Sequence, residues 1–306
     1  MRRRVKGRKT NGENSVADPT IAEAVDTAAK LLEEQGIAEG RRTAQLLMMH
    51  LLKVEMAELL SRGKKRLTPD LQAPYSGLLN RRLRHEPLQY ITSRAEFWSR
   101  EFYVDPRALI PRPETEHIAE EVLRDFPDKN SKLQIVDVGA GTGILAIILA
   151  LEYPKARVIG VDLAHGALEV AAINVSRMNV SGRVELVHGD LLAPVIEKLG
   201  GGAADIIVSN PPYISLGEAS SLAPEVIQAE PREALLAGPT GLEIFNRLVP
   251  QVAVALAPGG RFYLECGAGQ AGDVKRIIDA EEAVKHLRAV PDLQGIERVV
   301  IGERRS

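Results

Sequence analysis

The residues of this 306-residue chain with the clearest capacity for chemistry are Asn210-Pro211-Pro212-Tyr213, which directly follow the apolar run Asp205-Ile-Ile-Val-Ser. Ile206, Ile207 and Val208 form a short, continuous β-branched stretch, the pattern of a strand buried on both faces of a parallel sheet. Pro211 and Pro212 have no N–H to give to a ladder, so the strand must end at Asn210 and the backbone leaves it stiff and extended. A carboxamide and a prolyl carbonyl fixed at the end of a strand offer two acceptors that can grip one –NH2 group, and the Tyr213 ring can cover its flat face. The plainer alternative is a turn that merely contains Asn-Pro-Pro.

A second group of residues bears on that choice. A predicted strand at Leu133–Val138 breaks into Asp137-x-Gly139-Ala140-Gly141-Thr142-Gly143 and enters a helix at Ile144–Glu152. Glycines let a backbone approach a ligand closely, and a helix start presents free N–H groups. The spacing is not the dinucleotide fingerprint, which would need glycine at Ile144, and no Gly-Lys-Ser/Thr follows to make a Walker A loop. An acid two residues before the first glycine is a poor neighbour for a pyrophosphate and a reasonable one for a ligand bearing positive charge. Downstream, the strand Arg157–Asp162 ends in a carboxylate that can accept both hydroxyls of a ribose, the alternative being a helix cap. A third strand, Val184–His188, leads to Asp190, which could accept from an adenine amino group. Acids or Asn at the ends of four successive strands fit the rule that open α/β sheets bind ligands beyond the strands' carboxyl ends.

The elements that must position these residues follow from periodicity. Asp18-Pro19 reads as a cap opening a helix from Ile21 to Gly36, and further helices are predicted at Arg41–Lys53, Met56–Ser61 and from Thr68-Pro69 to Arg84. Together they predict a small all-α bundle over 18–86, read as a recognition or packing module. Glu86-Pro-Leu-Gln-Tyr90-Ile, Ala95–Trp98 and Phe102–Asp105 read as short strands or a hairpin within a linker at 87–112, with Phe97, Trp98, Phe102 and Tyr103 as either a binding wall or interdomain packing. The catalytic domain is expected over 113–306. Its α/β alternation, a loop-rich stretch from Tyr213 to Gly241 able to cover a substrate, and a terminal hairpin of His286–Val290 and Arg298–Ile301 predict seven strands with an antiparallel edge.

The totals narrow the partners. A formal charge of −2 argues against a protein that coats nucleic acid. The single cysteine, Cys266, can form no internal disulfide, which suits a reducing cytoplasm. Six scattered histidines make no pair at ligand spacing, so no metal is expected. No apolar run approaches the roughly 18 residues of a membrane span. The basic start at 1–17 lacks the apolar segment of a secretory signal and reads as a solvated, disordered extension, RNA contact being the other reading.

With these motifs in view, the sequence resembles the class I S-adenosylmethionine-dependent methyltransferases, and within them the release-factor glutamine methyltransferases of the HemK/PrmC type. The resemblance runs from Ile21 to Gly302. It is carried by Glu86-Pro-Leu-Gln-Tyr, Leu109-Ile-Pro-Arg-Pro-Glu-Thr-Glu116, Asp137-x-Gly-x-Gly-x-Gly143, Asn210-Pro-Pro-Tyr213, Glu230-Pro-Arg-Glu-Ala-Leu and Glu297-Arg-Val-Val. Asn-Pro-Pro-Tyr alone is shared with enzymes that methylate nucleic-acid amino groups; the Ile-Pro-Arg-Pro-Glu-Thr-Glu stretch is far more specific.

The resemblance implies a Rossmann-like seven-stranded methyltransferase sheet behind the helical bundle. It also implies S-adenosyl-L-methionine as cofactor, held by Asp137 and the Gly139–Gly143 loop at its methionine end, by Asp162 at the ribose, by Asp190 and Leu191 at the adenine, and by Asn210. Asn210 and the Pro211 carbonyl would hold a glutamine amide, with Pro212 and Tyr213 packed beside it. The implied substrate is the glutamine of the Gly-Gly-Gln motif of class I peptide chain release factors, with a ribosomal-protein glutamine and a nucleic-acid adenine as rivals. A non-catalytic adaptor is the reading of a different class. An amide nitrogen is a poor nucleophile because its lone pair is delocalised, and fixed acceptors on its N–H bonds leave it richer in electrons as the methyl leaves sulfur. Correct positioning can remove up to about 7–11 kcal/mol of barrier. No stable nucleic-acid complex is expected, and a monomer is.

Overall fold

Among the described residues four helices come first: α1 (Ile21–Glu34), α2 (Gly40–Leu52), α3 (Met56–Ser61) and α4 (Pro69–Leu83). The computed structural model describes residues 18–199 and 201–306, so the basic extension expected at 1–17 lies outside the described residues. Contacts divide the chain into two compact units, Met1–Leu88 and Gln89–Ser306. In the first, Ile21, Val25, Ala28, Ala29 and Leu32 recur at helical spacing and form the buried stripe of α1. The cap of that helix is Thr20 rather than Asp18. The Thr20 hydroxyl accepts from the Glu23 N–H at 3.2 Å, and the Glu23 carboxylate accepts from the Thr20 N–H at 2.7 Å. The Asp18 side chain accepts instead from Gln72 in α4.

The second unit begins with a correction. Leu88–Thr92, expected to be extended, is the short helix α5. Pro87 stands just ahead of it, where its fixed φ favours a helix start, and Tyr90 and Ile91 are buried on its inner side. The tyrosine hydroxyl donates to the Ala108 carbonyl at 2.7 Å. The hairpin follows as β1 (Ala95–Phe97) and β2 (Arg100–Phe102). Two of the four aromatics belong to the core. Phe97 and Phe102 pack edge-on, centroids 6.3 Å apart, within the core of this unit, and the Trp98 indole N–H donates to Glu152.

After a 3-10 turn at Pro113–Thr115 come α6 (Glu116–Asp125), β3 (Gln134–Val138), α7 (Ile144–Glu152), β4 (Arg157–Asp162), α8 (His165–Arg177), β5 (Val184–His188), α9 (Ala193–Leu199) and β6 (Ala204–Ser209). The insertion holds β7 (Ile214–Ser215), α10 (Pro224–Ala229) and β8 (Leu236–Gly238). The chain closes with α11 (Glu243–Ala255), β9 (Leu256–Glu265), α12 (Ala271–Asp279), β10 (Val284–Pro291) and β11 (Glu297–Arg304). Seven strands form one sheet in the order β10-β11-β9-β6-β3-β4-β5. β11 runs antiparallel to both β9 and β10, so the reversed strand lies one place in from the edge.

This order decides where a ligand can bind. The chain moves outward from β3 through β4 to β5, then returns to place β6 on the other side of β3. The carboxyl ends of β3 and β6 therefore flank a topological switch point, where helices leave a crevice above the sheet. Ile206, Ile207 and Val208 are fully buried in the middle of the sheet, as the apolar run predicts. Val138 and Ser209 are register partners, and the Ser209 hydroxyl donates to the Val138 carbonyl at 2.7 Å, tying together the two strand ends that open onto the crevice.

Candidate active site

The glycine loop leaves β3 with Gly139, Gly141 and Gly143 all at positive φ. At Gly143, φ +81°, a Cβ would come within 3.2 Å of Ala171 and 3.3 Å of Ile147, so a side chain at this start of α7 would be strained and would press on both neighbours. The loop is held by its surroundings. The Gly139 and Ala140 N–H groups both donate to the Val161 carbonyl at 2.9 Å, and the Gly141 N–H donates to the Asp162 carboxylate at 2.8 Å. Asn174, fully buried on α8, donates to the carbonyls of Thr142 and Tyr103 and accepts from the Tyr103 N–H.

Two carboxylates sit beneath this loop in different states. Asp137 is 1% exposed. One of its oxygens accepts from the Ala146 N–H at 3.0 Å, and the other, Oδ1, has no hydrogen-bond partner among the described residues. Burial pushes its carboxyl up to about 7, the Ala146 N–H opposing and the Asp162 charge adding to the rise. A buried, orphaned acceptor of this kind suits a ligand ammonium or other donor. Asp162 accepts from the N–H groups of Gly141 and Ala164, one at each oxygen. Burial raises its carboxyl above the ordinary range while these N–H donors hold it back. Asp162 thus shapes the loop and leads into α8 without being its N-cap, which is Ala164. Each of its oxygens retains a further lone pair for a hydroxyl.

At the end of β6, the Asn210 carboxamide is fixed from behind. Its Nδ2 donates to the Thr115 hydroxyl at 2.9 Å, and that hydroxyl donates to Oε2 of Glu265 at 2.6 Å. The Tyr213 hydroxyl reaches Oε1 of the same carboxylate at 3.4 Å. Burial pushes the Glu265 carboxyl up to about 7, the Glu114 charge also raising it while Thr115, Tyr213 and Arg298 lower it. Burial, with the Glu265 charge added, raises the Tyr213 phenol above its ordinary range.

Two cavities meet at Asn210. The first, about 50 Å³, is lined by Asp137, the loop from Gly139 to Thr142, Thr115 and Asn210. The second, about 240 Å³, is walled by Asn210-Pro-Pro-Tyr213 and by Leu109, Leu222, Val226 and Leu235. Its far wall comes from the insertion, which Glu230 anchors. This carboxylate, 5% exposed, accepts from the Ile110 N–H at 3.1 Å and from the Arg112 guanidinium at 2.5 Å.

The expected residues are thus largely brought together. Asp137, Gly139, Ala140, Gly141, Thr142, Asn210, Pro211, Pro212 and Tyr213 line the two cavities, and Gly143 supports the loop from below. Asp190 and Leu191 lie at the end of β5 outside both. Asp190 is paired to Arg247 of α11, and Leu191 is held at φ +51°, packed against the core cluster beneath α11. Sequence reasoning missed Thr115, Glu265 and Glu230 as parts of the site. Thr115 and Glu230 lie inside the Leu109–Glu116 and Glu230–Leu235 motifs, and Glu265 ends β9 on the ligand-binding edge, the only signal it gives. Among the described residues no group of three or more His, Cys, Asp or Glu could hold a metal, and no helix is long and apolar enough to cross a membrane.

Comparison with known proteins bears on the same features. Residues 23–92 match the PrmC N-terminal domain and residues 118–239 the methyltransferase small domain. A release factor glutamine methyltransferase from Koribacter versatilis is 40% identical over 285 residues, covering 93% of this chain and 99% of that one. Another from Moorella thermoacetica is 36% identical over 287 residues, covering 94% and 99%. Among solved structures, the hMettl16 catalytic domain in complex with MAT2A 3'UTR hairpin 6 superposes with a TM-score of 0.54 at 14% identity, over 67% of this chain and 75% of that one, a likeness of fold alone.

Proposed function

This chain belongs to the release factor glutamine methyltransferases, and from that premise we propose that Asn210 and the Pro211 carbonyl grip the substrate amide at the meeting point of the two cavities. It is an enzyme that methylates the side-chain amide nitrogen of a glutamine in a release factor; the finer reading is that this glutamine belongs to a Gly-Gly-Gln motif of the class I factors. The observation that carries the site assignment is the position of Asn210, which lines both the cleft of the glycine loop and the cavity under the insertion. Whatever Asn210 holds in the second cavity is presented to whatever occupies the first.

S-adenosyl-L-methionine, when bound, supplies a methyl group made electrophilic by its sulfonium. The residues present fit that cofactor: the orphaned Asp137 oxygen suits its ammonium, the loop backbone its amino-acid end, and the spare lone pairs of Asp162 its ribose hydroxyls. Asp190 and Leu191 are the residues we assign to the adenine. On the substrate side, Asn210 Oδ1 and the Pro211 carbonyl accept the two amide N–H bonds, leaving electron density on nitrogen. The Tyr213 ring covers the amide plane, and the apolar walls of Leu109, Leu222, Val226 and Leu235 take the aliphatic part of the glutamine. Two rigid acceptors lower the barrier without a side-chain base, because they need no reorganisation as charge develops, and the proton shed by the methylated nitrogen passes to water after the methyl has left sulfur.

The test is mass spectrometry of a purified class I release factor after incubation with this enzyme and isotope-labelled S-adenosylmethionine. One labelled methyl group on the Gly-Gly-Gln peptide is expected. Label found instead on a ribosomal protein or on adenine in a parallel incubation, with the release factor unmodified, would overturn the substrate assignment.

A further inference from the structure

Asn210 can accept from a substrate only if its oxygen, and not its nitrogen, faces the cavity. The two ends of a carboxamide have nearly the same shape, so packing alone does not choose between them. Turned the wrong way, the side chain would present two N–H donors to a substrate that is itself a donor.

The hydrogen bonds behind Asn210 make the choice. Glu265, 1% exposed at the end of β9, is acceptor-only in its carboxylate form, the form that prevails above about pH 7, where the relay operates. The Thr115 hydroxyl, also 1% exposed, has one hydrogen and gives it to Glu265 at 2.6 Å, a short distance typical of a charge-assisted bond. Toward Asn210, at 2.9 Å, that hydroxyl can therefore only accept. The –NH2 end of Asn210 must face Thr115, and Oδ1 is left for the cavity. We infer that Glu265, acting through Thr115, is a positioning residue that sets the polarity of the Asn210 carboxamide for the methyl-accepting amide. This rests on the reading that Asn210 accepts from the substrate. The same carboxylate also receives the Tyr213 hydroxyl on its other oxygen, so one buried group holds both the gripping amide and the ring beside it.

The experiment compares Thr115→Val, Thr115→Ser, Glu265→Gln and Asn210→Ala in the full chain with a purified release factor. Turnover, the dissociation constant for S-adenosylmethionine and the melting temperature are the readouts. Thr115→Val keeps the shape and removes the relay, and kcat should fall roughly tenfold to a hundredfold, the effect of leaving one buried polar group unsatisfied or misdirected. Cofactor affinity should stay as in the wild type. Thr115→Ser restores the hydroxyl and should recover most of the rate. Glu265→Gln can donate as well as accept, so it should lose rate without losing melting temperature, a pattern that a merely structural carboxylate would not give.

Wild-type kcat in both Thr115→Val and Glu265→Gln, with Asn210→Ala inactive, would overturn this inference and leave the site reading intact. Full activity in Asn210→Ala would overturn that reading itself. Should Thr115→Val fold poorly, Glu265→Gln and Thr115→Ser decide: wild-type kcat in Glu265→Gln, or a well-folded serine variant that loses the rate although it keeps the hydroxyl, refutes the relay.

Discussion

Asp137→Asn should make the ligand-free enzyme more stable above neutral pH and a poorer binder of its cofactor. The wild-type carboxyl is buried, one oxygen unpartnered, and pushed up to about 7 from an ordinary 3.8. At ~1.36 kcal/mol per pKa unit, that shift corresponds to an upper bound on the order of 4 kcal/mol of lost stability once the group is ionised. The sign follows from proton binding: the folded state holds this proton more tightly than the unfolded chain. Stability contributed by the neutral acid is fully present below the unfolded value and is lost as pH rises through about 7. Asparagine removes the charge and still accepts from the Ala146 N–H, but it buries an –NH2 without a partner, which costs about 1–3 kcal/mol. The net gain should be roughly 1–3 kcal/mol above neutrality and absent or reversed near pH 4. Urea denaturation without cofactor, run near pH 5 and near pH 8, measures it as a shift in midpoint at constant slope. Isothermal titration at the higher pH should show weaker S-adenosylmethionine binding. A variant that is less stable than the wild type near pH 8, or that binds the cofactor equally well, would refute the assignment of Asp137 as an acid kept strained for a ligand donor.

Other variants probe the supports of the site. Glu230→Ala releases both the Ile110 N–H and the Arg112 guanidinium, and should cost about 2–4 kcal/mol in denaturation while raising KM for the release factor more than for the cofactor. Asn174→Ala deletes three hydrogen bonds that tie α8 to the glycine loop and to Tyr103. It should destabilise by roughly 2–4 kcal/mol, read by the same denaturation assay. Gly143→Ala puts a side chain at a positive φ and against Ala171, and should weaken cofactor binding as well as stability, read by titration and melting.

The parts of this enzyme legible in its sequence are those whose physics is local. Three β-branched residues ended by two prolines mark the strand β6 and the place where it stops, and the acid-and-glycine spacing after β3 marks a ligand loop that departs from the dinucleotide fingerprint. Helical periodicity located α1 to α4 within a residue or two. Leu88–Thr92 was misread because five residues are too few to show a period, and its helix is held by the burial of Tyr90 and Ile91. Likewise, the Asp18-Pro19 pair draws the expected cap two residues too early, whereas Thr20 and Glu23 stand at capping-box spacing. The relay behind Asn210 was illegible for a different reason: Thr115 lies 95 residues before Asn210 and 150 before Glu265, and only the sheet order brings them together. The pairing of Asp190 with Arg247 was illegible for the same reason, the two lying 57 residues apart.

The central claim is that a glutamine amide becomes methylatable when held by the Asn210 carboxamide, and it is tested most directly by Asn210→Ala assayed for both methyl transfer and cofactor binding. The account predicts that turnover on a purified release factor falls by at least about a hundredfold while S-adenosylmethionine binds as in the wild type. Undiminished turnover in that variant would contradict it.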